Sequence, residues 1–243
     1  MTENQQHLEA LPGEGKKEKV RNMFNNIAER YDFLNHFLSF GIDYHWRNQV
    51  LRIIKAKKPK SILDIATGTG DLAILSSKAN PHSIVGIDIS EEMLKVGINK
   101  VKRKQLDSLI ELKQADSEDL PFEDNKFDLA MVAFGVRNFA HLEVGLSEIK
   151  RVLKPGGTLI VLEFSHPRRM PMKQLYGFYS NNILPAFGKI ISNDSSAYTY
   201  LPESVKRFPA YDDFTNIMKA VGFKNTQWRA LSAGIASIYT GEK

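Results

Sequence analysis

Three observations assign this chain to the α/β class, as one domain built on a seven-stranded, mostly parallel sheet with a terminal antiparallel strand and added N-terminal helices. Short apolar runs of strand length alternate with helical patterns from Ser61 to Glu163. That alternation is the signature of βαβ units, whose helices cover both faces of a parallel sheet. The first run ends in the glycine turn Gly68-Thr69-Gly70, the kind of turn that opens a helix beside a ligand. The last two runs, predicted over Phe223–Arg229 and Ile235–Thr240, follow one another with no helix between them, which makes them antiparallel.

Composition agrees. With 243 residues, 42% hydrophobic and 25% charged, the chain is long enough for a full core and ordinary for a globular domain. It has no cysteine, which excludes disulfides, thiolate metal sites and a cysteine nucleophile. The histidines are scattered, so no metal is expected. A net charge of +5 suits an anionic partner or membrane surface without requiring one. No apolar run approaches the roughly 20 residues of a membrane span. The opening MTENQQHLEALPGEGKKEK is polar and lacks a signal core, so a cytoplasmic location is expected.

Residues 1–15, with Pro12, Gly13 and Gly15, read as a flexible tail, and 16–243 as the single domain. From Lys16 to Ser39 the positions Val20, Met23, Phe24, Ile27, Tyr31, Leu34 and Phe37 recur at steps of three and four. This predicts one amphipathic helix, or two broken near Asp32. A second helix is predicted over Asp43–Lys55 with Asp43 as N-cap and Trp46, Val50, Leu51 and Ile54 on one side. These N-terminal helices (16–58) are expected over the strand tips. Strands follow at Ser61–Ala66, Ser83–Asp88, Leu109–Gln114, Phe127–Ala133 and Thr158–Glu163, with helices over Asp71–Lys78, from Ser90 as N-cap to Lys104, and over Leu142–Leu153. The last of these helices stops at Lys154-Pro155-Gly156-Gly157. Residues 166–210 read as an insertion whose part Met172–Ile191 is apolar and aromatic, broken at Pro185. A helix over Tyr211–Val221 stops at Gly222.

In an open parallel sheet the ligand lies beyond the carboxyl ends of the strands. The turn at Gly68, Thr69 and Gly70 lets backbone approach a ligand, and Asp88 ends the second strand about 20 residues on, placed to accept from ribose hydroxyls. Gly68-x-Gly70-x-x-Ala73 also fits a dinucleotide fingerprint, so these residues alone leave two cofactors open. Asp116-Ser117 follows the third strand, where a polar side chain can meet an adenine amino group. Leu120-Pro121-Phe122, then Asn125-Lys126-Phe127-Asp128, then Arg151 to Gly157 complete the series. Together, over about residues 60 to 165, they resemble the Rossmann-like class I methyltransferases. The resemblance implies S-adenosyl-L-methionine as cofactor, held by Gly68, Thr69, Gly70, Asp88, Asp116 and Ser117.

Further segments are more specific. They are Arg30-Tyr31-Asp32-x-Leu34-Asn35, Trp46-Arg47, Phe134-Gly135-Val136-Arg137-Asn138, Leu162-Glu163-Phe164-Ser165-x-Pro167, and Tyr198-x-Tyr200-Leu201-x-Glu203-Ser204. With them the chain resembles, nearly end to end, the C-methyltransferases of menaquinone and ubiquinone biosynthesis. The resemblance implies C-methylation of a polyprenylated hydroquinone, demethylmenaquinol before a ubiquinone-type benzoquinol. A non-catalytic quinone-binding subunit is a further alternative. Arg137 and Asn138 are the expected catalytic pair. Arginine stays protonated, so Arg137 stabilises a phenolate or orients a water, and Asn138 fixes that water. His141 is the rival base, or a cap of the next helix. Where the family often carries a serine, this chain has Ala133, so no hydroxyl contact is expected there. The segment from Phe164 to Ser192 is aromatic, its charges Arg168, Arg169, Lys173 and Lys189 all basic. It suits a lid over the prenyl tail that touches anionic lipid at the inner face of the membrane. Phe33, Phe37 and Phe40 with Tyr31 would form the facing wall. A homodimer is compatible with this reading. Nucleic acid is not an expected partner, since the Asn/Asp-Pro-Pro-aromatic motif is missing after the fourth strand.

Overall fold

The computed structural model describes residues 13–39, 41–179 and 196–243. Seven strands form one sheet: β1 (Ser61–Ile65), β2 (Ser83–Asp88), β3 (Ile110–Gln114), β4 (Phe127–Ala133), β5 (Leu153–Phe164), β6 (Lys224–Leu231) and β7 (Ala236–Glu242). Their spatial order is β3-β2-β1-β4-β5-β7-β6. β1 to β5 run parallel, and β7 lies antiparallel to both β5 and β6. The helices are α1 (Gly13–Leu38), α2 (Ile42–Lys57), α3 (Asp71–Ser76), α4 (Glu91–Arg103), α5 (Leu142–Val152), α6 (Met172–Phe178), α7 (Ser196–Arg207) and α8 (Asp212–Ala220).

The strands read as unbroken apolar runs because both faces are covered, and successive side chains alternate between two cores. Leu63, Ile65, Ala130, Val132, Leu159 and Val161 pack on one face with Leu146 and Ile149 of α5 and Phe214 and Met218 of α8. Their neighbours Ile62, Leu129, Met131, Ile160 and Leu162 pack on the other with Trp46, Val50 and Ile54 of α2 and Leu72 of α3. The periodicity that marks α2 as amphipathic therefore buries Trp46 against the sheet face. This corrects the expectation that both N-terminal helices cover the strand tips; only α1 does.

Other boundaries move for local reasons. α1 begins at Gly13, so Gly13 and Gly15 are helical; the rest of the expected tail, 1–12, lies outside the described residues. α1 does not break at Asp32, whose carboxylate is held by Lys100 Nζ at 2.7 Å and Thr69 Oγ1 at 2.5 Å. Asp43 is not the N-cap of α2. Gly41 holds that position at φ 71°, and Asp43 sits in the first turn accepting from Ser39 Oγ at 2.7 Å and paired with Arg47. Ser90 does cap α4, accepting from Met93 N at 3.2 Å. Lys154–Gly157 ends α5 yet belongs to β5, as a bulge where the register passes from Phe127↔Leu153 to Leu129↔Thr158. Arg151 ties this turn to the earlier motif, donating to Phe122 O at 2.7 Å and Leu120 O at 2.9 Å. Of the expected lid, α6 covers Met172–Phe178. Pro185 and the apolar residues Ile183, Leu184, Phe187, Ile190 and Ile191 lie outside the described residues, as do Phe40 and the side chains of Phe33 and Phe37.

Candidate active site at the strand tips

Strand order reverses between β1 and β4, and a crevice opens there beyond their carboxyl ends, as doubly wound sheets require. The chain leaves β1 through a tight turn. Thr67 N donates to Ile87 O at 2.8 Å, Gly70 N to Thr67 O at 2.9 Å, and Gly68 and Gly70 take φ of 57° and 79°. A side chain would strain either position. Asp88, at the tip of β2, latches this turn: its carboxylate accepts Gly68 N and Ser90 N, each at 2.8 Å. Burial pushes its pKa up against those donors. Asp64, one strand over, accepts from Thr67 Oγ1 at 2.6 Å, and burial drives its pKa up to about 7. Ala66 and Phe134, just past β1 and β4, are held at φ 53° and 58°, and a Cβ on Gly135 would fall 2.5 Å from that of Ala66. The two tips are pressed together with stored backbone strain, a feature that clusters at functional sites.

The crevice is partly open to solvent and lined by apolar and polar side chains together, the mixture of small-molecule sites. Gly68, Asp88, Asp116, Ser117 and Asn138 line it, so five of the eight predicted site residues converge on one space. Thr69, Gly70 and Arg137 do not line it. Thr69 is buried and donates to Asp32, and Gly70 sits at the N-cap of α3. The remaining wall is α1, whose Lys17, Val20, Phe24 and Tyr31 lie on one helical stripe facing the crevice. Lys17 pairs with Asp116 at 2.7 Å and Glu118 at 2.9 Å, and Lys16 donates to Phe139 O at 2.5 Å. Asn25 accepts from Ser90 Oγ at 2.7 Å. Burial alone would raise the pKa of Glu118, but donors from the His141 N–H, the His141 ring and Lys17 outweigh it and hold the carboxyl ionised.

Arg137 and Asn138 form a single turn after β4. Asn138 Oδ1 accepts from Tyr200 of α7 at 3.0 Å, and burial raises the pKa of that phenol. The Arg137 guanidinium lies behind the turn. Its Nη1 donates to Phe134 O and, at 2.8 Å, to Glu163, and its Nε donates to Ser204 Oγ at 3.3 Å. His141 stands at the N-cap position of α5 but its side chain caps nothing; its ring is exposed and pairs with Glu118 at 3.0 Å. Lys17, Glu118 and Glu163 were not anticipated as site residues. Glu163 carried a signal, the one charge within the apolar run TLIVLE of β5; Lys17 carried none, since a helical Lys pair reads as a solvated face.

The model of the ubiE/COQ5 methyltransferase family matches residues 13–243. A demethylmenaquinone methyltransferase of Bacteroides fragilis is 46% identical over 98% of both chains. A ubiquinone/menaquinone biosynthesis C-methyltransferase UbiE of Geotalea daltonii is 49% identical over 94% of this chain and 97% of its own. Among solved structures, SAM-dependent methyltransferases from Thermotoga maritima (TM-score 0.62, 19% identity, 92% of this chain and 99% of that one) and Aquifex aeolicus (0.56, 20%, 81% and 88%) share the fold. The family match spans the sheet, the glycine turn, the Arg137-Asn138 turn and the covering helices alike, and the chain belongs to the ubiE/COQ5 methyltransferase family.

Proposed function

We propose that the protein transfers a methyl group from S-adenosylmethionine to a ring carbon of a polyprenylated hydroquinone, with demethylmenaquinol as the acceptor. The observation that carries this reading is the meeting, in one crevice, of Gly68 and Asp88 from the β1–β2 side with Asn138 from the β4 side, on the turn that Arg137 backs. The printed names of the relatives at 46–49% identity support the acceptor class.

The crevice suits the cofactor chemically. Carboxylates at Asp88 and Asp116 stand among apolar walls from Phe24, Ile87 and Met93, a mixture that matches ribose hydroxyls and an adenine ring. Asp88 would hold the ribose and Asp116 with Ser117 the adenine edge, beside the Gly68 turn. When bound, the cofactor supplies a methyl group already activated on a sulfonium. The protein's own task is orientation, exclusion of water and disposal of a proton. Arg137, from behind the turn, stabilises the ring oxyanion through a water that Asn138 holds and that takes up the hydroxyl proton. Asn138 is fixed for this by Tyr200.

α6 leaves Leu175 and Phe178 exposed, at 60% and 62%, next to Met170, Arg168, Arg169 and Lys173. Apolar side chains among cations are suited to an anionic bilayer surface, from which the prenylated substrate would be drawn. No helix among the described residues is long and apolar enough to cross a membrane.

The test is incubation with methyl-labelled S-adenosylmethionine and, in parallel, demethylmenaquinol or the benzoquinol counterpart, with products weighed by mass spectrometry. Gain of one methyl on the naphthoquinol ring is expected. Methylation of the benzoquinol alone moves the enzyme to the ubiquinone step, and no transfer to either ring overturns the reading.

A further inference from the structure

We infer that Glu163 is the counter-charge and positioning residue of Arg137, holding the guanidinium in place for methyl transfer; this rests on the function proposed above. Glu163 lies near the end of β5, the strand beside β4, and its side chain is 0% exposed. The carboxylate is engaged by that turn and by its own strand. Oε1 accepts Arg137 Nη1 at 2.8 Å and Phe164 N at 2.8 Å, and Oε2 accepts Arg137 N at 3.3 Å. It thus grips the arginine by side chain and backbone together, and fixes the turn that carries Asn138 into the crevice.

Two physical reasons make such a partner necessary. Arg137 is 6% exposed, and a guanidinium that buried would leave its place for water if unpaired. A planar fork held from Nε and Nη1 by Ser204 and Glu163, with Phe164 stacked 5.5 Å away, has one orientation only. The second reason is charge. A bare guanidinium near the crevice would repel the sulfonium cation of the methyl donor, while the Arg137–Glu163 pair is neutral overall. For stability alone an apolar residue of similar size serves a strand tip at least as well as a buried carboxylate. Glu163 is therefore explained by what it does to Arg137.

The experiment uses the full chain with Glu163→Gln, Arg137→Gln and the double variant. Glu163→Gln should lower kcat at least about 10-fold while affinity for the neutral product S-adenosylhomocysteine, measured calorimetrically, stays within about two-fold. The affinity ratio of S-adenosylmethionine to S-adenosylhomocysteine should fall, because only the first ligand is a sulfonium. In the Arg137→Gln background the second change should cost nothing further. A Glu163→Gln enzyme with wild-type kcat and an unchanged affinity ratio overturns the inference, and so does a double variant slower by the product of the two single losses. If Glu163→Gln does not fold, Glu163→Asp keeps the charge and withdraws it by one methylene; it should show the same loss in kcat with the affinity ratio preserved, and wild-type kcat there overturns the positioning role. The affinity ratio needs no acceptor, so a failure of the quinol assignment leaves it readable.

Discussion

Removing the Asp88 carboxylate should have two separable effects, because its two oxygens have two employments. In the free protein they accept Gly68 N and Ser90 N, both at 2.8 Å, at a position 9% exposed. Hydrogen bonds to a charged acceptor contribute about 1.5–3 kcal/mol each, and water entering the gap of an Asp88→Ala change would recover part of that. A net loss of about 2–3 kcal/mol follows. For a domain of this size it lowers Tm by roughly 5–10 °C. In the complex Asp88 should also hold the ribose diol, and losing that contact costs about 2 kcal/mol, close to a 30-fold rise in Kd. Asp88→Asn keeps one acceptor oxygen and should fall between wild type and alanine in both measures. The assay pairs a thermal melt with calorimetric titration of S-adenosylhomocysteine, and NAD should give no heat with any variant. Unchanged product affinity in folded Asp88→Ala would remove the residue from the ribose site; an unchanged Tm would refute the latch on the glycine turn.

Arg137→Ala should depress turnover by about 100-fold or more, the scale of a lost oxyanion donor, with little change in product affinity; near-normal turnover of demethylmenaquinol would end its role. Asp64 gives a pH test. Its pKa is raised from 3.8 to about 7 by burial, so below about pH 3 it is protonated folded or unfolded, and stability then falls as pH rises through 3.8 towards 7 because the unfolded chain gives up the proton first. Asp64→Asn should therefore leave Tm unchanged at about pH 3 and raise stability by on the order of 1 kcal/mol or more at about pH 8; an equal increment at both pH values contradicts this. Trp46→Ala, at a position 1% exposed between α2 and the sheet, should cost about 3–5 kcal/mol by denaturant titration; a surface-like cost below about 1 kcal/mol would mean α2 is not docked on that face.

The strands were legible because burial on both faces writes itself as unbroken apolar runs, and β2 and β4 begin and end where Ser83–Asp88 and Phe127–Ala133 predict. Asp88, Asp116 and Asn138 were legible because each follows a strand in an α/β chain, and topology sends every such position to the same rim. Three helix starts were legible as well, at Asp71, after Ser90 and at Leu142; that of α2 was not. Asp43 reads as an N-cap from its type and place, but its near neighbours Ser39, His36 and Arg47 claim its carboxylate first. The docking of α2 on a face and of α1 on the rim depends on how long segments return in space, which periodicity does not encode. The same holds for Glu163: its charge within TLIVLE flagged a buried partner, but nothing local named Arg137, 26 residues earlier.

The contacts of α1 bear on rates. Its near end is pinned by Lys16 and Lys17 to Phe139, Asp116 and Glu118, its middle by Asn25 to Ser90, and its far end by Asp32 to Thr69 and Lys100. A ligand in the crevice that this helix walls should leave faster when one end of the helix lets go. At the end carrying Lys17 the pair with Asp116 is a third open to water and loosens as ions are added. Where departure of the spent nucleoside limits the cycle, turnover should therefore quicken as ionic strength rises.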